Sequence, residues 1–487
     1  MQLVAVVKRD CETCVLVAPV LAILGQLSTL KIYSQDDPAF PESCGGAYDD
    51  TELAQSYRLD ITTVPTLIRY ENNIEIARTE GWDRTQWQQL TEIDFLGDDL
   101  LDFKPGCGSL SQYPGIPEKL ALRFGDINFQ SRSIQVAEDD DPIEVAFDRG
   151  WSDGLPVVPP TDTRIARMMT GTTRAATDIV GLIPPNLIEC SVEKVAINAV
   201  LAGCRPEYFP VVLATVEAAL KPAFSMHGLL ATLWFSGPVV IVNGPVSKRI
   251  GMNSGGNALG QGNRANATIG RALQLLIRNV GGGIPGEIDR SILGNPGKYT
   301  FCFAEDESDP QWIPLNVSRG AAAGSSSVTL FHGDGVQGVG AFKARSPEEL
   351  CNSLAAALWA VGHPRDAGKA GAILVLGADH YEIFARAGWG RAEVEAGLHS
   401  SLKRPARDLI EGTDGIAEGL PAERADEIVD KFNDGFLLVV RAGGRGGGAS
   451  AVIGGWIAQR RYTEVQVVSQ DIVETWFRKP IQEINND

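Results

Sequence analysis

Cys11 and Cys14, in the run Asp10-Cys11-Glu12-Thr13-Cys14, stand at the spacing that closes a disulfide within one helical turn. An apolar stretch over 3–7 leads into them and a helical pattern over 15–24 leads out, so the pair lies at the mouth of a strand-to-helix turn. The unpaired N–H groups and dipole of a helix N-terminus stabilise a thiolate there, which makes Cys11 the attacking sulfur and Cys14 the resolving one. Asp10 raises the Cys11 pKa by like-charge repulsion while Lys8 and Arg9 lower it, and the sequence leaves the net sign open. The same spacing supplies half of a zinc site, but a structural zinc needs a second Cys or His pair. The next cysteine is Cys44, and no two of the five histidines (His227, His332, His363, His380, His399) have ligand spacing, so no metal is expected.

Chemistry-bearing residues recur downstream. Cys107 lies between Gly106 and Gly108 and is either an exposed thiol able to exchange with Cys11 or an ordinary loop cysteine. Cys204 precedes Arg205-Pro206, and a proline suits the first position of a helix, so Cys204 is a second candidate thiolate or else a packed cap residue. A glycine-rich run over 251–262, with Arg264 beside it, feeds a helix expected over 267–278 and can cradle a phosphate or carboxylate. Phosphate-loop and dinucleotide spacings are absent from it. The acids Glu305, Asp306 and Glu307 follow loops rich in Gly and Asn, which read as the floor of a polar site or as turn chemistry. Asp379-His380 ends an apolar strand over 372–376, where open α/β sheets carry ligand sites; His380 is a candidate general base or a histidine satisfied in a cap.

The elements that must position these groups fall into an α/β pattern. In the first 95 residues a strand at 30–33, a helix at 51–57, a proline-opened strand at 63–70, an Asn72-Asn73 hairpin into 74–78 and a helix at 84–93 follow the dithiol. Pro19 inside the first helix should kink it. Residues 96–150 carry so many Gly, Pro and Asp breakers that they read as a linker with short structured pieces. A rigid extended loop at 151–161 opens a second domain, 151–487, in which strands alternate with helices as in a mostly parallel sheet, arranged as two lobes, 151–325 and 326–487.

Composition sets outer limits. The 487 residues carry a net charge of −18 and no basic tract, which argues against nucleic-acid and anionic-membrane surfaces. Hydrophobic residues at 44% and charged ones at 21% fit a globular chain with a sizeable core. No apolar run reaches membrane-span length and no basic leader precedes the first strand, so a cytoplasmic location is the expectation. Eight cysteines are too few for a disulfide-built scaffold; Cys44, Cys190, Cys302 and Cys351 read as small buried hydrophobes.

Cys11-x-x-Cys14, Pro19 and Val64-Pro65-Thr66 in register resemble the thioredoxin superfamily over residues 1–95. The resemblance implies an N-terminal thioredoxin fold followed by the larger α/β domain, a cis peptide before Pro65, and a role for Val64 and Pro65 in binding an extended substrate chain near the sulfurs. Glu12-Thr13 replaces the usual Gly-Pro, Asp10 a common aromatic residue and Ala5 the usual buried aspartate, so the family's redox potential does not transfer. From 151 on, Trp151-Ser152-Asp153-Gly154-Leu155-Pro156, Gly203-Cys204-Arg205-Pro206-Glu207-Tyr208 and Arg264-Ala265-Asn266-Ala267-Thr268-Ile269-Gly270-Arg271 resemble a family of uncharacterised bacterial proteins. That likeness singles out Cys204, Asn266 and Arg271 and implies an association with a selenoprotein bearing Sec-Gly-Ser-Cys. The resulting expectation is a thiol-disulfide oxidoreductase with no cofactor beyond a Cys11–Cys14 disulfide. Its partners are a thiol or disulfide substrate or an external reductant, and its fused domain acts on a small anionic molecule. The alternative is a binding protein that uses a redox-inactive thioredoxin fold for docking.

Overall fold

Leu3 to Val7 are buried without a break, as a strand covered on both faces requires. In the computed structural model, which describes residues 2–125 and 127–455 and the strand Val468–Asp471, this strand is the middle of a five-stranded sheet. Its strands are β1 (Gln2–Val7), β2 (Thr29–Ser34), β3 (Tyr48–Asp49), β5 (Thr66–Glu71) and β6 (Ile74–Glu80), with the two-residue β4 (Thr63–Val64) lying outside it. The order is β3-β2-β1-β5-β6; β1, β2 and β3 run parallel, and β5 and β6 are antiparallel additions. Asn72 and Asn73 both take left-handed backbone angles, which closes the expected two-residue hairpin between β5 and β6. Helix α1 (Glu12–Leu27) runs through Pro19 and seals one face of the sheet with Val17, Val20, Leu21 and Leu24.

Residues 96–125 are not a tether. Phe103–Lys104 pairs with Trp82–Asp83, Cys107–Gly108 pairs with β4, and the helix Ile116–Phe124 follows. Buried Gln35 ties this stretch down by donating to Ser109 Oγ at 2.6 Å, while Ser111 Oγ donates to the Ile61 carbonyl at 2.7 Å. The breakers that suggested a linker have a different purpose. A Cβ on Gly106 would lie 2.4 Å from Thr63 Cγ2 and 2.8 Å from the Val64 carbonyl, so only glycine lets the backbone come this close to β4. By contact, Met1–Asn128 and Asp162–Arg167 form one unit, and Phe129–Thr161 with the described residues after Arg167 forms a second.

The second unit holds two four-stranded sheets, and both are mixed rather than mostly parallel. In the first, Gly237–Asn243 lies parallel to Cys302–Ala304 and antiparallel to Ser327–Gly333, which pairs with Val468–Asp471. In the second, Gly371–Leu376 is parallel to Leu437–Arg441, but Ala449–Gly455 inserts antiparallel between it and Val336–Gly340. Strand-helix alternation suggested crossovers; the late strand Ala449–Gly455, remote in sequence from its partners, changes the pairing. The expected lobe boundary at 325/326 is crossed as well, because Ser327–Gly333 completes the first sheet. The two sheets share an apolar cluster in which Val239, Ile241 and Phe331 meet Ile373, Val375, Leu438, Val440 and Ile453.

Beside that cluster lies a buried ion pair, Arg391 to Glu305 at 2.7 Å, with the side chains 2% and 0% exposed. Glu305 also accepts from Asn243 Nδ2, Trp312 Nε1 and the Leu315 N–H, and Arg391 donates to the Ile313 and Val439 carbonyls. Removing one partner strands a charge in an apolar interior. Arg391→Met is expected to cost about 3–5 kcal/mol, read by urea denaturation with tryptophan fluorescence; Arg391→Met with Glu305→Gln should recover part of the loss. A change below about 1 kcal/mol in Arg391→Met would mean that water reaches the pair.

Candidate functional site

The first unit gathers its sulfur chemistry where β1 ends. Cys11 is the N-cap of α1, in extended conformation, and its Sγ accepts the Cys14 N–H at 3.4 Å. As a thiol it donates to the Val64 carbonyl at 3.5 Å, and Cys14 Sγ accepts the Lys8 N–H at 3.5 Å. The Val64–Pro65 peptide is cis, and the Pro65 carbonyl accepts the Gly81 N–H, just past β6, at 2.8 Å. Cys11, Cys14, Val64 and Pro65 are therefore brought together. Among the described residues, no group of three or more His, Cys, Asp or Glu has the geometry to hold a metal ion.

Hydrogen bonds decide the sign that neighbouring charges left open. The Cys14 thiol, then the Cys107 thiol and the backbone N–H groups of Cys14 and Thr13, hold Cys11 down at about 5 against the opposing effect of burial. Asp10 is exposed, and Arg9 faces away into ion pairs with Asp37 and Glu42 at 2.6 and 2.5 Å. Cys14, fully buried, is pushed far above the ordinary thiol range by desolvation and by its hydrogen bond to Cys11. Cys107 is raised as well, first by burial and then by its hydrogen bond to Cys11, with Lys8 pulling the other way. One sulfur is thus ionised at neutral pH and two keep their protons. A groove of 540 Å³ between α1 and the loop carrying Cys44 includes none of these residues.

In the second unit the expected site residues have structural partners. Cys204 does precede a short turn, Pro206–Tyr208, but it is 7% exposed, its thiol donates to the Thr268 carbonyl at 3.3 Å, and burial pushes it up to about 12. Of the two readings of Cys204, the packed residue fits and the catalytic thiolate does not, because desolvation outweighs what the turn Pro206–Tyr208 and the helix Phe209–Leu220 that continues it supply. The glycine-run helix starts at Arg264 rather than Ala267, capped by Asn263, whose side chain takes the Asn266 N–H at 3.0 Å. Asn266, 3% exposed, staples the glycine run by accepting the Asn253 N–H at 3.1 Å and donating to the Asn253 and Ala258 carbonyls at 2.8 and 3.3 Å. Arg264 donates to the Gly203 carbonyl at 2.9 Å. Arg271 forks onto Asp153 with two bonds of 2.8 Å and adds the Leu155 and Pro156 carbonyls, so it clamps the 151–156 arm onto the helix.

Asp379 and His380 do not form a dyad. Asp379 accepts the Gly446 and Gly447 N–H groups at 3.0 and 2.7 Å, which holds its carboxyl below the usual range. His380, fully buried, pairs Nδ1 with Ser450 Oγ at 2.7 Å and is lowered by desolvation, so it stays neutral. The glycine runs do meet: Gly443 N–H donates to the Ser254 carbonyl at 2.9 Å, and a Cβ on Gly444 would lie 2.9 Å from Gly256 Cα. Of the acids, Glu307 caps Asn243 and Gly244, and Asp306 pairs with Arg441 at 3.0 Å, the guanidinium lying 3.7 Å over the Tyr381 ring.

The contrast among the sulfurs is measurable. Because the Cys11 pKa in the fold lies below its unfolded value of about 8.5, Cys11 stabilises the reduced fold fully above that value and loses this contribution as pH falls toward 5. Iodoacetamide labelling of Cys11, followed by peptide mass, should rise with a midpoint near pH 5 while Cys14, Cys190 and Cys204 stay unlabelled. A Cys11 midpoint at or above about 8 would remove the stabilised thiolate. No protein-family model, curated protein or solved structure matches this chain.

Proposed function

We propose that the first unit is a thioredoxin-like module that carries out thiol-disulfide exchange through Cys11 and Cys14. The observation that carries this reading is geometric: Cys11 caps α1 with its Sγ accepting the Cys14 N–H at 3.4 Å and facing the Val64 carbonyl at 3.5 Å, beside a fully buried Cys14, and hydrogen bonds from Cys14, its thiol first, lower the Cys11 pKa. The sheet order β3-β2-β1-β5-β6 and the Val64 carbonyl facing Cys11 support it. Cys11 attacks a substrate disulfide and forms a mixed disulfide; a second thiolate then attacks Cys11 Sγ, leaves an internal disulfide and releases the substrate as thiol. A dithiol, thiol or selenol outside the unit returns the electrons, and no cofactor beyond the disulfide enters. A reducing compartment such as the cytoplasm keeps the resting protein in the dithiol form.

The second unit is proposed to take a small, anionic molecule near the junction of its glycine runs. The groups expected to hold that anion already have partners within the fold, so the dithiol carries the weight of the proposal. The competing reading, a docking module with an inert dithiol, makes the opposite prediction in a dithiothreitol-driven insulin-reduction assay. Wild type should reduce insulin, and Cys11→Ser should lower the rate at least ~100-fold, since a serine hydroxyl is no thiolate. An undiminished rate in Cys11→Ser, or none in wild type, would sink the exchange reading.

A further inference from the structure

Lys8 and the two residues between the cysteines, Glu12 and Thr13, grip one short segment, 104–108. Glu12 pairs with Lys104 at 3.0 Å, Thr13 Oγ1 donates to the Pro105 carbonyl at 2.6 Å, and Lys8 Nζ donates to the Gly108 carbonyl at 3.0 Å. On its other side the segment pairs antiparallel with β4, with Cys107 opposite Val64 and Gly108 opposite Thr63. Val64 is the residue whose carbonyl faces Cys11. An extended chain thus lies on the β4 edge, held from both ends of the Cys-x-x-Cys turn, with its cysteine opposite the residue whose carbonyl Cys11 Sγ meets at 3.5 Å. Cys11 is only 3% exposed beneath these contacts, and Cys107 is half-buried.

We propose that Cys107 is a built-in exchange partner of Cys11: segment 104–108 presents it to Cys11 as an incoming substrate chain would present its own cysteine, and Cys107 resolves mixed disulfides on Cys11. This rests on the reading of Cys11 as the exchanging thiolate. With a disulfide RSSR as oxidant, Cys11 thiolate displaces RS⁻ and becomes Cys11–SR. Cys107, on giving its proton to solvent, attacks Cys11 Sγ, forms the Cys11–Cys107 bond and expels a second RS⁻; the chain loses two electrons and the disulfide gains them. Where Cys11–Cys14 forms first, the same attack shifts the bond to Cys11–Cys107 and returns Cys14 to its protonated form without net redox change. Geometry favours Cys107 as a resolving sulfur. Cys14 is fully buried at the base of α1, whereas Cys107 is half-buried on a two-residue strand held by its pairing with β4 and by three side chains, Lys8, Glu12 and Thr13.

The test uses the full chain and oxidised glutathione, with non-reducing peptide mass mapping. In Cys14→Ser, a Cys11–Cys107 disulfide should form and little Cys11–glutathione should remain. In Cys14→Ser/Cys107→Ser, Cys11–glutathione should accumulate at least ~10-fold over the single variant, because both resolving thiols are gone. Cys107→Ala in place of Cys107→Ser, with thermal melting of each variant, guards against a folding defect. Stable Cys11–glutathione in Cys14→Ser itself, equal to that in the double variant, would overturn the assignment of Cys107 and leave the exchange reading standing. No adduct on Cys11 in either variant would overturn both.

Discussion

The Cys11 sulfur is almost closed to water, and the hydrogen bonds around it oppose what burial does to its ionisation; the first unit is arranged around this balance. Burial alone would raise Cys11; the cap position turns the opening N–H groups of α1 toward it, and two neighbouring thiols that keep their protons become donors. The asymmetry is self-consistent, because the desolvation that protonates Cys14 is what makes Cys14 a donor. The sheet serves this arrangement. β1 is buried on both faces, delivers the turn at a fixed place, and β5 brings the Val64–Pro65 corner across from it.

The second unit obeys the complementary rule that buried charge must be matched. Glu305, Arg391, Asp306 and Arg441 lie among the strand ends where an α/β domain carries its ligands, yet each is paired or hydrogen-bonded within the fold. Arg271 and Asp153 lock the extended arm to a helix, and Asn266 and Asp379 hold the two glycine runs. A residue of polar type at a conspicuous position therefore marks a tight backbone crossing here as readily as a site.

What was legible in the sequence followed the range of the interactions involved. The strand-turn-helix around Cys11 and the Asn72-Asn73 hairpin depend on neighbours within a few residues, and local spacing reveals them, whereas the cis corner at Pro65 is expected only from the family resemblance. The mixed pairing of the second unit depends on Ala449–Gly455 finding partners more than seventy residues away, which no periodicity encodes. Breakers misled in a specific way: Gly106 and its neighbours look like linker residues because glycine marks both a free chain and a backbone pressed against another. For Cys204 the sequence leaves two readings open, because the helix start is visible in it and the packing against Thr268 that buries the thiol is not.

The two departures at Glu12 and Thr13 then acquire a physical reason. A Gly-Pro pair between the cysteines has no side chain that could reach across to 104–108; an acid and a hydroxyl do, and here they meet Lys104 and the Pro105 carbonyl. Holding a thiol in place gives it an effective concentration in the millimolar range or above, so an internal partner competes with any free thiol of lower abundance. In the proposed exchange, substrate entry and internal resolution would draw on the same edge of β4, since 107–108 already occupies it. The surface ion pair contributes little to holding the segment down, whereas the buried donors to the Pro105 and Gly108 carbonyls contribute more. The segment is therefore held by a few separable bonds, which is the condition for an edge that can be both covered and used.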